Sequence, residues 1–101
     1  MENLEAEKAT KIVRTILSKH LGKQKVTFKQ MKGYLAILLD GDRYRTICRL
    51  YTNNERRQYL GTISKNKVES RNRIDSLADL LLHTDAINES LAHYQEEDRQ
   101  N

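Results

Sequence analysis

Ala9, Ile12, Val13, Ile16, Leu17 and Leu21 recur at three- and four-residue steps, with Lys8, Lys11, Arg14 and Lys19 between them. Coiled at 3.6 residues per turn, this segment gathers its apolar side chains on one side. The spacing predicts an amphipathic helix over residues 4–21, stopped by Gly22. The period then shortens to two. In KVTFKQ, Val26 and Phe28 alternate with Lys25, Thr27 and Lys29, as in a strand with one buried face. After Lys32-Gly33, YLAILLD is apolar at both phases and reads as a central strand covered on both sides. Asp40-Gly41-Asp42 signals a tight hairpin. Residues 43–52 then form a third strand, Asn53-Asn54 turns the chain, and residues 56–63 form a fourth. The polar stretch SKNKVESRN has no clear period and admits a short fifth strand near 67–73.

Ser76 followed by Asp79 fits a capping box. Leu77, Leu80, Leu81, Thr84, Ile87, Leu91 and Tyr94 then trace a helical stripe, which predicts a helix over 76–94 with a kink near Thr84-Asp85. The fold class expected is α+β: an N-terminal helix, an antiparallel meander of about four strands (five with the short one), and a C-terminal helix on one sheet face. It occupies one domain, residues 1–95, followed by a disordered acidic tail, 96–101.

Strand alternation divides residues 43–52 into two sets. Tyr44, Thr46, Cys48, Leu50 and Thr52 suit a helix-covered face, whereas Arg43, Arg45, Ile47, Arg49 and Tyr51 make a row too charged to bury without partners. Arg57 and Tyr59 on the following strand extend the row, with their register left open by Leu60 on the alternate phase.

Charge reinforces that pattern. The chain's net +4 is unevenly spread: residues 20–73 hold thirteen Lys and Arg against four acids, a net of +9, and residues 74–101 hold one Arg against seven acids, a net of −6. A positive centre of this kind attracts a polyanion, although a basic surface kept for solubility has the same composition. At 38% hydrophobic and 32% charged residues the chain is globular in composition. Its longest apolar run, Leu35 to Leu39, is too short to span a bilayer. The single Cys48 has no partner for an internal disulfide, so a cytoplasmic location is expected, with no membrane partner.

Catalytic chemistry finds little support. His20, His83 and His93 lack a partner at metal-ligand spacing, and Cys48 has no histidine near it in sequence. No phosphate-binding glycine loop or nucleophile elbow occurs. A metal-dependent nuclease core needs a strand aspartate followed by an acid-x-lysine pair; Asp40 could begin one, but Glu55 is followed at two positions by Arg57 and Glu69 by Arg71. The expectation is a non-enzymatic domain with no cofactor and no metal.

Four segments also carry a resemblance. Tyr34 to Asp40 matches a Y-x-x-I-L-L-D strand, Ile47 to Leu50 an I-C-R-L strand, Tyr59 to Gly61 a Y-(I/L)-G strand, and Ile74 to Leu80 an I-(D/E)-S-L-x-D-(I/L) helix start. In this order, and with KIVRTILSKHL before them, they resemble a small C-terminal domain of predicted restriction endonucleases whose nuclease domain is related to the type I restriction enzyme R subunit. The pattern departs after Thr62-Ile63, which leads into no acidic turn. The resemblance implies a domain working beside a DNA-cleaving defence enzyme, with a nuclease domain or subunit as partner. Two function classes follow. One is a sequence-independent DNA-binding module whose phosphate contacts are Arg43, Arg45, Arg49, Tyr51, Arg57, Tyr59, Lys65 and Lys67. The other is a protein-protein interaction or homodimerisation module of a restriction-type complex with no nucleic-acid contact.

Overall fold

The computed structural model describes residues 4–54, 57–64 and 66–100; the side chains of Leu4, residues 52–54, Arg57 and Gln100 are not described. Helix α1 (Leu4–Leu17) is followed by five strands, β1 (Val26–Met31), β2 (Tyr34–Leu39), β3 (Asp42–Asn54), β4 (Arg57–Ile63) and β5 (Glu69–Ile74), then a 3₁₀ helix (Leu77–His83) and α2 (Thr84–Gln100). The strands form one antiparallel meander in the order β1-β2-β3-β4-β5. The α+β architecture read from the sequence is therefore present, with the short fifth strand formed.

Two hairpin turns set the register of the first three strands. Lys32-Gly33 joins Met31 to its partner Tyr34, and Asp40-Gly41 joins Leu39 to Asp42. Asp40 and Gly41 both take positive φ, 56° and 73°, the combination that a type I′ turn requires and that Asp-Gly tolerates. Asp40 also closes the neighbouring loop, its Oδ1 accepting from Lys25 N at 2.8 Å.

One face of the sheet carries the core. Val26, Leu35, Ile37, Leu39, Cys48, Leu50 and Leu60 pack against Ala9, Val13 and Leu17 of α1, Leu80 of the 3₁₀ helix, and Ile87, Leu91 and Tyr94 of α2. Polar bonds fix α2 over the sheet: Tyr94 OH donates to the buried Thr46 carbonyl at 2.9 Å, and Ser90 Oγ to the Ile63 carbonyl at 2.8 Å. These bonds satisfy backbone acceptors that would otherwise lie beneath the helix without water.

Several boundaries differ from the sequence reading. Helix α1 ends at Leu17, with turn geometry to His20. The last helical segment is a 3₁₀ turn that becomes α-helical at Thr84, near the expected kink. Ser76 makes no side-chain cap bond; Asp79 instead accepts from Asp75 N at 2.8 Å. Residues 96–100, expected as a frayed tail, continue α2 to Gln100. Strand β2 is buried from Leu35 to Leu39, and among the described residues helices cover one of its faces. On the other, Ala36 lies between Lys29 and Arg49 in the register, whose aliphatic stems can lie along it while the charges reach water.

The largest correction lies in β3. The register passes from Ile37↔Cys48 to Leu38↔Thr46, leaving Ile47 as an extra residue, and slips again before Leu39↔Asp42. An extra residue interrupts the alternation of sides. Ile47, expected on the exposed row, is fully buried in the core beside Cys48.

Candidate nucleic-acid interface

The opposite sheet face has no helix over it among the described residues, and pairing sorts its side chains into two transverse rows. Met31 pairs with Tyr34, Tyr51 with Tyr59, and Tyr59 with Arg73. The Tyr34 and Tyr51 rings join the first row across β2 and β3, with centroids 5.5 Å apart and planes tilted by 42°. Three tyrosines on adjacent strands thus lie between a methionine and an arginine. Two residues along each strand, Lys29, Ala36, Arg49, Gly61 and Arg71 form the second row. Cations and rings meet where the rows adjoin: the Arg49 guanidinium is 5.4 Å from the Tyr34 centroid and that of Arg71 is 4.1 Å from the Tyr51 centroid, within the range of cation–π attraction.

Gly61 leaves a gap in the second row, and the Glu69 carboxylate fills it. A Cβ at Gly61 would stand 2.1 Å from Glu69 Oε2, so any larger residue there must displace that carboxylate. Glu69 Oε2 accepts from Tyr51 OH at 2.6 Å, while Oε1 lies 3.4 Å from Arg71 Nε and 3.8 Å from Arg49 Nη1. Arg71 Nη2 also donates to Tyr51 OH at 3.3 Å. Burial, followed by the hydrogen bond to Glu69, raises the Tyr51 phenol above its ordinary pKa, so the ring stays neutral at physiological pH.

Those residues anticipated from the sequence whose side chains are described separate into three groups. Arg49, Tyr51 and Tyr59 lie together on the open face. Arg45 does not. Its Nη1 donates to Asp98 of α2 at 2.9 Å and its Nη2 to the other carboxylate oxygen, with Asp42 at 3.7 Å from Nε. The irregular register of β3 lets Arg45 reach the helix it was expected to avoid. That bond holds the Asp98 carboxyl below its usual pKa and raises the Arg45 guanidinium further. Arg43 and Lys67 sit at the sheet's end, lining a cleft of about 240 Å³ with Tyr44, Thr46, Arg49 and Tyr94. Arg43 Nη2 donates to Tyr44 OH at 2.9 Å, and Lys67 Nζ lies 4.4 Å from the Tyr94 centroid. The Arg57 side chain and the whole of Lys65 lie outside the described residues.

No family model, curated protein or solved structure matches the chain. The site therefore stands on its own geometry.

Sequence reasoning passed over Lys29, Tyr34, Gly61, Glu69, Arg71 and Arg73. A signal for three of them was present, since Glu69-x-Arg71-x-Arg73 alternates at the strand period. Elsewhere, Cys48 is fully buried and burial pushes its thiol up to about 12, which keeps it protonated and unreactive. Among the described residues, no three His, Cys, Asp or Glu side chains come together as a metal site. No described helix is long and apolar enough to cross a membrane.

Proposed function

We propose that this chain is a non-catalytic nucleic-acid-binding module that helps a restriction-type endonuclease engage DNA. The observation that supports it most is the open sheet face, where Lys29, Arg49, Arg71 and Arg73 surround three tyrosines and meet one carboxylate, Glu69. Guanidiniums match phosphate oxygens in geometry, and contacts confined to phosphates carry no base sequence. The resemblance of Tyr34–Asp40, Ile47–Leu50, Tyr59–Gly61 and Ile74–Leu80 to a restriction-endonuclease domain supports the choice of partner enzyme.

The test is fluorescence anisotropy of labelled DNA at several salt concentrations, with Arg49→Glu/Arg73→Glu and, as a helix-side control, Arg45→Gln. Contact with about four phosphates predicts a slope of log affinity on log salt near −3.6. The double variant should abolish binding while Arg45→Gln retains it. A folded protein that binds no DNA at low salt would overturn the proposal.

A second reading, docking of a nuclease subunit or a second copy, is favoured by Leu81 and Leu82, exposed at 55% and 78% on the 3₁₀ helix. Such an apolar contact would be almost insensitive to salt and would be lost in Leu81→Glu/Leu82→Glu.

A further inference from the structure

We infer that the open face takes single-stranded rather than duplex nucleic acid, with unpaired bases lying against Tyr34, Tyr59 and the Arg71 guanidinium beside Tyr51, and phosphates along Lys29, Arg49 and Arg73. This rests on the nucleic-acid-binding reading above and names its ligand. The first argument is size. Five strands spaced about 4.8 Å apart span about 19 Å, wider than the roughly 12 Å major groove, so the face cannot enter a duplex. Against a duplex it would touch phosphates only, because the base faces are stacked within the helix. A single strand leaves those faces free, and aromatic platforms bind them without regard to sequence.

The second argument is how Arg71 is held. Its Nε and Nη2 are already directed to Glu69 and to Tyr51 OH. Its guanidinium carbon lies 4.1 Å from the Tyr51 ring centroid, and the side chain is 59% exposed. An arginine so tethered offers a flat cationic surface rather than a fork to chelate phosphate, and guanidinium planes stack on bases. Glu69 holds that guanidinium in place.

Phosphates then fall to the remaining cations. Arg73 ends the tyrosine row, and Lys29 and Arg49 lie in the neighbouring row, two residues or roughly 6.7 Å away along the strands. That offset lets one nucleotide place its base on a ring and its phosphate on a cation.

The experiment measures binding of the full chain to labelled dT15, to rU15, to a dA15·dT15 duplex and to heparin, for the native protein and for Tyr34→Leu/Tyr59→Leu. Folding is checked by circular dichroism. The chain has no tryptophan, so quenching of tyrosine fluorescence reports stacking directly. Expected are a preference of at least about tenfold for a single strand over the duplex, quenching on binding, and a loss of about tenfold or more in the double variant with heparin binding unchanged. The dT15 and rU15 arms show which sugar the face accepts, and binding of either supports the inference. Equal affinity for duplex and single strand, or a variant that binds every ligand as the native protein does, overturns it while leaving the module a phosphate binder. Failure to bind any of the four polyanions overturns the proposed function as well.

Discussion

Glu69→Gln removes the charge of the carboxylate at the centre of the open face while keeping one of its two acceptors. The amide oxygen can still accept from Tyr51 OH, now at 2.6 Å, whereas the amide NH2 replaces the oxygen to which Arg71 Nε donates. What disappears is a negative charge 3.4 Å from Arg71 Nε and 3.8 Å from Arg49 Nη1. A phosphate bound by Arg49 comes within a few ångströms of that carboxylate. Like charges about 4 Å apart repel by about 1 kcal/mol in water and about 4 kcal/mol at an effective dielectric near 20. The Glu69 side chain is 17% exposed, but the phosphate sits in solvent, which favours the lower figure. An increase in polyanion affinity of about fivefold at low salt follows. The salt slope should also steepen by about 0.7 to 0.9, one additional phosphate's worth. Anisotropy titration of native protein and variant at matched salt measures both quantities. Unchanged or weakened affinity, with the melting temperature preserved, would refute the placement of phosphates beside Arg49. Gly61→Ala provides an independent route, because its Cβ would displace the same carboxylate; affinity should move in the same direction.

Other outcomes follow from residues away from the face. Ile47→Ala should destabilise the fold by about 2–4 kcal/mol in urea denaturation, as for a core residue; a change under about 0.5 kcal/mol would return Ile47 to the surface. With burial pushing its thiol up to about 12, Cys48 should react with a thiol reagent at pH 8 only as fast as the domain opens, and immediately in denaturant. Asp98 is held low by Arg45, so its contribution is present above the unfolded carboxyl value and fades as pH falls through the folded one. Amides in the last turn of α2 should exchange faster on acidification, and Asp98→Asn should show that faster exchange already at neutral pH.

The strands, their order and the helix-covered face were legible because turn chemistry and period-two alternation are local. Lys32-Gly33 and Asp40-Gly41 mark two hairpins in the sequence itself. The bulge at Ile47 has no such mark: neither glycine nor proline lies between Asp42 and Asn54, so alternation was carried unbroken through a strand that breaks it. The fate of Arg45 was equally hidden, since Asp98 lies 53 residues away. Tyr34 escaped notice because apolar residues at both phases of β2 imply burial on both sides. That burial holds from Leu35 to Leu39, with Lys29 and Arg49 flanking Ala36 on the open face, but Tyr34 at the strand's start is only partly buried. The tyrosine row could not be seen in any one segment, as it arises from the register among β2, β3 and β4.

The fold also explains why so modest a net charge can serve a polyanion. Asp85, Glu89 and Glu96 are exposed on α2, on the helical side of the sheet, while Lys29, Arg71 and Arg73 are exposed on the open side. The acids of α2 thus lie across the sheet from the open face, on a side where α1 also exposes Lys8, Lys11 and Arg14. The acids of α2 repel a polyanion from that helix. Arg45 fits this division. Turned under α2 by the irregular register of β3, it would be a half-buried cation on the acidic side, and Asp98 supplies its counterion there. The third strand therefore offers a partner fewer arginines than its sequence counts, while Lys29, Arg49, Arg71 and Arg73 stand beside the aromatic rings on the open face.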